Sequence, residues 1–370
     1  MIDRDEILKE FIELARIDSL TFNERSMTDI LKRKLEEIGI EVYEDDAGKK
    51  IEGNSGNLIG TLKGTKKVPP IILMAHMDTV TPGKNKNPIV DGDFIKTDGK
   101  TILGGDDIAG IVTILEALRI IVRERLEHGD IRVVFTVAEE GGLFGARNLD
   151  FSKIDAEYGF VFDEGGNIGT VAVSAPSQNK IDIAITGKAA HAGIEPENGI
   201  SAIQIAAEAI SKMKLGRIDD KTTANIGVIY GGQATNIICD SVEINAEARS
   251  RDEGLLIKQT EHMRKCFENA VKKFGGEMKY SSELVYSGFD INESDDIIKI
   301  ARIAADKTGV ELNPEATGGG SDTNILNAKG IKAINLSVGM QNVHCVEEQI
   351  NINDILKSIE FAKEIILATK

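Results

Sequence analysis

Apolar positions recur every three or four residues in DEILKEFIELARI, near the start of the chain, which is the spacing of an amphipathic helix. A second such run covers residues 26–38 and stops at Gly39, a residue that ends helices. Short β-rich stretches follow at 39–43, 56–62 and 70–75. Residues 108–125 read as a long, largely apolar helix. IRVVFTVA (131–138) and YGFVF (158–162) are unbroken apolar runs, the pattern of strands buried on both faces. Strands alternating with helices predict an α/β sheet with its ligand site at the carboxyl ends of the strands.

From about residue 178 the pattern changes. IDIAITG alternates as a strand, and 199–213 reads as a helix. ANIGVIYGG and SVEINAEARS are strands, 253–274 a long helix, and GEMKYSSELVY a last strand. That order, β-α-β-β-α-β, is ferredoxin-like. After residue 290 the α/β style returns with a helix, the loop TGGGSD, the strand IKAINLSV and a helix from Asn353. The expected architecture is an α/β domain of residues 1–177 and 290–370, interrupted by an inserted domain of residues 178–289.

A chain of 370 residues is longer than one core usually serves, in keeping with two domains. Acidic residues outnumber basic ones by 60 to 44, for a formal charge of −16, which argues against nucleic acid and anionic membrane as partners. Cys239, Cys266 and Cys345 are odd in number and lack CxxC spacing, so neither a disulfide framework nor a cysteine-built zinc site is expected. The charged start MIDRDEILKEF is unlike a secretory signal and no apolar run has membrane-spanning length, so the expected location is the cytoplasm.

Polar residues stand where the buried strands end. His76 and Asp78 follow IILMA, on the same side of an extended backbone. Alone, such a pair also reads as ordinary surface. LGGDDIAG places Asp106 and Asp107 at a helix start, where acids also serve as caps. VVFTVAEEGG puts Glu139 and Glu140 at the end of a buried strand, costly unless paired, protonated or metal-bound. GFVFDEGG repeats the design with Asp163, and VGMQNVHCVEE supplies His344. Jointly, carboxylates and imidazoles at the ends of one sheet suit zinc, manganese or cobalt, and a shared carboxylate suits a pair of ions. His128 and His262 read as solvated surface. GGGSD lacks the GxxxxGK pattern of a nucleotide site.

The ordered set HMD, GGDD, AEE, FDEGG, GKAAHAG and NVHC resembles the co-catalytic zinc peptidase and aminoacylase family, in its peptidase T-like branch, over nearly the whole chain. The resemblance implies a mixed sheet flanked by helices, with the inserted domain acting as a lid and dimerisation domain. It implies two zinc ions per subunit, with cobalt or manganese as substitutes. His76, Asp106 and Asp163 would hold one ion, and Asp106, Glu140 and His344 the other. Asp78 would orient His76, Glu139 would be the general base, and the Asp106–Asp107 peptide bond would be cis. His191 would reach the partner subunit's active site to hold the oxyanion, which implies a homodimer. Arg249 would bind substrate carboxylate, while Asn236 and Gly319 would be further substrate contacts. Arg249 also reads as an exposed strand end, Asn236 as a turn residue and His191 as the close of a turn. Ile108 departs from the lysine of many relatives.

The function implied by the resemblance is Glu-assisted attack of a metal-bridging hydroxide on the N-terminal peptide bond of short peptides. Aspartate at position 163 goes, in the family, with aminopeptidases and dipeptidases. The rivals are an N-acyl-amino-acid amidohydrolase with the same metals and an inactive metal-holding protein, although the latter should lack Glu139.

Overall fold

The computed structural model of the chain describes residues 2–369. Two compact units emerge: unit 1 is the chain up to Val173, Asp290–Thr317 and the chain from Ser321, and unit 2 is Ser174–Phe289 with Gly318–Gly320.

Unit 1 is built on a mixed sheet. Its centre is parallel: Ile71–His76 lies between Ile131–Thr136 and Tyr158–Gly165, and Lys332–Gln341 adds beyond the latter. Antiparallel strands finish both sides, Leu58–Leu62 and Glu41–Glu44 on one, Gln349–Asn351, Phe94–Lys96 and Ile89–Asp91 on the other. Ile71–His76 and Ile131–Thr136 are buried at every position, as their unbroken apolar runs require.

Helix Gly105–Arg123 is buried on almost every side. It packs on Ile71–His76 and Tyr158–Gly165 below, and on helices Arg4–Ala15 and Ile352–Ala368. A helix covered in this way is apolar on nearly every face, and its mid-helix charges, Glu116 and Arg119, pair with each other. Arg4–Ala15 starts at Asp3, whose carboxylate accepts the N–H groups of Asp5 and Glu6, and it buries Ile7, Phe11 and Leu14. Phe11 is fully buried, and Phe11→Ala would cost about 3–5 kcal/mol through lost burial and the cavity left behind. Arg25–Ile38 ends at Gly39, left-handed at φ 91°.

Differences from the sequence reading are local. The helix expected from residue 108 begins at Gly105, but Asp106 and Asp107 depart from helical dihedrals and the bond between them is cis, as the resemblance implies. Ile89–Asp91, Phe94–Lys96 and Gln349–Asn351 are strands of three residues, too short to show an alternation. His128 is not solvated: it is 6% exposed, its Nδ1 lies 2.7 Å from the Gly129 carbonyl, and its own carbonyl accepts the N–H groups of Thr65 and Lys66. The crossing of residues 64–66 over it removes it from water. His262 is half-buried, with Nε2 accepting the Lys214 N–H at 3.1 Å. All three cysteines are free.

Unit 2 is an antiparallel sheet in the order Gly216–Arg217, Thr222–Gly231, Ser241–Ser250, Ser177–Thr186, Glu277–Tyr286. Apart from the short first strand, this is the ferredoxin-like order. Alternation sets its core: Val242, Ile244, Ala246 and Ala248 point inward with Ile181, Ile183 and Ile185, against Ala206 and Phe267 of helices Ala202–Ser211 and Glu253–Phe274. On its outer side Thr222–Gly231 pairs with Gly216–Arg217 through Thr223 and Ala224, and Val228, Ile229 and Tyr230 are exposed. No helix among the described residues is long and apolar enough to cross a membrane.

Candidate metal centre

The carboxyl ends of the parallel strands deliver the functional side chains, all within unit 1. His76 closes Ile71–His76, and Asp106 stands at the start of Gly105–Arg123. Glu139 and Glu140 follow Ile131–Thr136, Asp163 lies late in Tyr158–Gly165, and His344 is in the turn after Lys332–Gln341. Polar groups first become tolerable where the chain leaves the apolar sheet, and there they are brought together.

Asp106 is the hub. Its Oδ1 lies 2.9 Å from His76 Nε2 and its Oδ2 3.2 Å from His344 Nε2. His76 Nε2 is also 3.7 Å from Asp163 Oδ1, and His344 Nε2 is 2.8 Å from Glu140 Oε1. Two groups therefore share Asp106: one with His76 and Asp163, the other with Glu140 and His344. Ligand atoms of His76, Asp106 and Glu140 lie within 4.8 Å of one another, as do those of His76, Asp107 and Asp163.

The ring of His76 is held by a bond from Nδ1 to the backbone carbonyl of Asp78, at 2.9 Å. Nδ1–H donates there, so the neutral ring turns its Nε2 lone pair toward Asp106 and Asp163. Asp78 reaches more groups than the His76 ring that the resemblance assigns to it. Its carboxylate stands 3.5 Å from the His76 ring and accepts the N–H groups of Glu139 (2.8 Å) and Glu140 (3.2 Å) and the hydroxyl of Thr21 (2.8 Å). Ala138, just before them, is left-handed at φ 49°, and so is His344 at φ 64°. Each costs about 1–2 kcal/mol, a sign that surrounding bonds dictate the backbone here. The Ala138 N–H donates to the buried carboxylate of Glu24.

Crowded acids dominate the electrostatics. Burial, reinforced by Asp163, holds Glu139 well above the usual carboxylate range. Burial pushes Asp163 up to about 8 and also raises Asp107 and Glu140. Asp106 goes down: burial opposes ionisation, but bonds from His344 and His76 outweigh it. Its hydrogen bond and that of Glu140 raise His344 to about 10, and His76 is raised well above its ordinary value despite burial. Both upward shifts mark positive charge as favoured at this spot, and a cation at Nε2 would take the place of the proton. The donor set fits a pair of divalent cations such as zinc, cobalt or manganese, whose charge would let these acids ionise together.

The other expected residues lie in unit 2. His191 is exposed, and its Nδ1 accepts the Gly193 N–H at 3.2 Å while its carbonyl closes a turn with Ile194 and Glu195. Asn236 is exposed and joined to that segment, its carbonyl accepting the Ala192 N–H. Arg249 is half-buried within Ser241–Ser250 rather than on an exposed end, and its Nε and Nη2 grip the Glu247 carboxylate at 3.0 and 3.1 Å. Gly319 is exposed. Its neighbour Gly320 has the steric need for glycine, since a Cβ there would meet the Tyr286 hydroxyl at 2.3 Å.

Three more carboxylates join the centre, Asp107 from the GGDD motif and two that no motif role singles out. Asp107 accepts the N–H groups of His76 and Gly110, Asp322 accepts the Thr136 hydroxyl at 2.5 Å, and Glu348 accepts backbone N–H groups around Asp106. Asp322 and Glu348 carry no hint beyond their acidity.

Carboxylates and imidazoles converging at the strand ends of a helix-flanked mixed sheet define a hydrolase of the metallopeptidase class. The chain belongs to peptidase family M20/M25/M40, whose model matches residues 72–368. Within it the chain is peptidase T-like. It is 42% identical to aminopeptidase PepT from Bacillus cereus ATCC 10987, covering 100% of this chain and 99% of that one, with a TM-score of 0.90. It is also 42% identical to a tripeptidase from Staphylococcus aureus subsp. aureus mu50, at the same coverage and a TM-score of 0.95. The uncharacterized protein YqjE of Bacillus subtilis (strain 168) is 46% identical over 99% of both chains.

Proposed function

We propose that this chain is a cytoplasmic di-zinc metallopeptidase that hydrolyses the N-terminal peptide bond of short peptides. The observation that carries the reading is the division of the Asp106 carboxylate, one oxygen toward His76 and the other toward His344. On this reading His76, Asp106 and Asp163 hold one ion, and Asp106, Glu140 and His344 the other. Bound there, the ions would polarise the scissile carbonyl and acidify a water. Glu139, its backbone fixed by Asp78, takes a proton from the attacking water at its carboxylate and later gives it to the departing amine. The two structures at 42% identity, an aminopeptidase and a tripeptidase, support short peptides as substrate.

Residues 178–289, which fall within unit 2, are the proposed lid and dimerisation domain, and Gly318–Gly320 belong to the same unit. This unit supplies His191 to the oxyanion in the partner subunit's site and Arg249 to the substrate carboxylate, with Asn236 and Gly319 as further contacts. The exposed Val228, Ile229 and Tyr230 on its outer strand support a homodimer through this unit.

The test is hydrolysis of paired free and N-acetylated tripeptides by zinc-loaded protein, with Glu139→Ala as control. Cleavage of the free peptides alone, lost in the control, is the expected result. Cleavage of the acetylated set alone would replace the reading with a deacylase. Two bound zinc ions without cleavage of either set would leave a metal-binding protein.

A further inference from the structure

Glu348 is buried to 1% exposure and has no part in the proton transfers above. Its Oε2 accepts the backbone N–H groups of Leu103 (2.7 Å) and Gly104 (2.9 Å), and its Oε1 accepts that of Asp106 (3.1 Å). The first N–H groups of a helix have no acceptor within the helix, so a foreign carboxylate satisfies them here. The need is greater than at an ordinary start. Gly104 is left-handed at φ 76°, and Asp106 and Asp107 have non-helical dihedrals, so the helical ladder does not fix Asp106. The next rung, from the Ile108 N–H to the Gly104 carbonyl, is long at 3.4 Å.

The same side chain belongs to the segment that carries His344. The Glu348 N–H donates to the Cys345 carbonyl at 3.2 Å, closing a turn directly after the histidine. One carboxylate therefore ties the His344 turn to the Asp106 backbone, across 242 residues of sequence. These are the two residues whose ligand atoms, Nε2 and Oδ2, stand 3.2 Å apart.

We propose that Glu348 is a positioning residue for the metal centre: it sets the Asp106 backbone against the His344 turn, so that the shared carboxylate is aimed at both halves of the site before any cation binds. This rests on the reading of Asp106 as the shared ligand. A residue that only capped the helix would move stability and leave metal affinity alone. A positioning residue moves affinity in a protein that remains folded.

The test uses the full-length protein. Zinc stoichiometry and affinity are measured by competition with a chromophoric chelator, beside the thermal midpoint of the metal-free protein. Glu348→Gln keeps the volume but turns an amide N–H₂ toward backbone donors. It is expected to weaken the more loosely held ion 10–100-fold, the usual range for a residue supporting a ligand. Excess zinc should restore its turnover, and the absorption of the cobalt-loaded protein should shift. Glu348→Asp, which keeps the charge but shortens the reach, should fall between variant and wild type, and it serves if the glutamine variant does not fold. Glu347→Gln, on an exposed neighbour, should bind as wild type. Wild-type affinity in folded Glu348→Gln, with or without a lower thermal midpoint, would overturn the proposal. Wild-type protein that binds no zinc would overturn the metal reading itself, and that is seen before any variant is compared.

Discussion

Glu10 and Glu140 are both acids withdrawn from water in unit 1, with side chains 10% and 9% exposed, yet their surroundings differ in kind. Glu10 accepts a two-pronged bond from the Arg119 guanidinium at 2.6 and 2.7 Å and a third from Lys34 at 3.0 Å. Burial acts to raise it, but Arg119 and Lys34 win and hold it below the ordinary carboxylate value. Glu140 sits among Asp106, Asp163 and Glu139, with His344 as its partner, and burial leaves it raised. One cluster carries its cations on its own chain. The other is arranged for positive charge that must arrive from outside, which is the difference between a structural ion pair and a metal site.

Removing the outside charge should separate the clusters most sharply. Chelation is expected to abolish peptide hydrolysis and lower the thermal midpoint, and returning zinc to 1,000 times its Kd should restore about 4 kcal/mol per independent site. Calorimetry with and without chelator reads this. Glu139→Gln should retain both ions, by metal analysis, while kcat falls about 10²–10⁴-fold, the usual share of a general base. The same acid-to-amide change then gives opposite signs in the two clusters. Glu10→Gln should destabilise by roughly 1–3 kcal/mol in urea unfolding, below a fully buried pair because Arg119 is 29% exposed. Glu140→Gln should stabilise the metal-free protein by on the order of 1 kcal/mol while weakening metal binding, because it relieves repulsion among the acids.

The smallest effect is in pH. The Glu10 pKa is lowered on folding, so its contribution is present above the unfolded value of 4.5 and is lost as pH falls through the folded value. The stability gap between wild type and Glu10→Gln should therefore hold at pH 6–7 and narrow below 4.5. A gap unchanged to pH 3 would remove Glu10 as its source.

The legible and illegible parts of the centre divide along the same physical line. His76, Asp106, Glu139, Glu140, Asp163 and His344 could be found because each interrupts or follows an apolar run, and a polar residue at the end of a buried strand needs a reason. The central sheet was legible for the same cause, as was Ser241–Ser250 through its alternation. Asp322 and Glu348 bond to a hydroxyl or backbone amides far away in sequence, and no spacing announces such a partner. Beside the His76 ring, the Asp78 carboxylate also holds amides 61 and 62 residues away, which spacing does not announce either. His128 shows the converse: a polar tripeptide context says nothing of a neighbouring loop that covers it.

The place of Lys332–Gln341 in the sheet has a consequence for how the molecule is made. Ile89–Asp91 and Phe94–Lys96 connect to the remaining strands by way of Gln349–Asn351 and Lys332–Gln341. On the ribosome, strands produced early thus wait for partners translated only after the whole of Ser174–Phe289. Ser174–Phe289, by contrast, emerges as one unbroken stretch and carries its own core before those partners appear. Translation delivers the core of the small domain in the middle of an unfinished large one, and His344 joins Asp106 only after that core has been made.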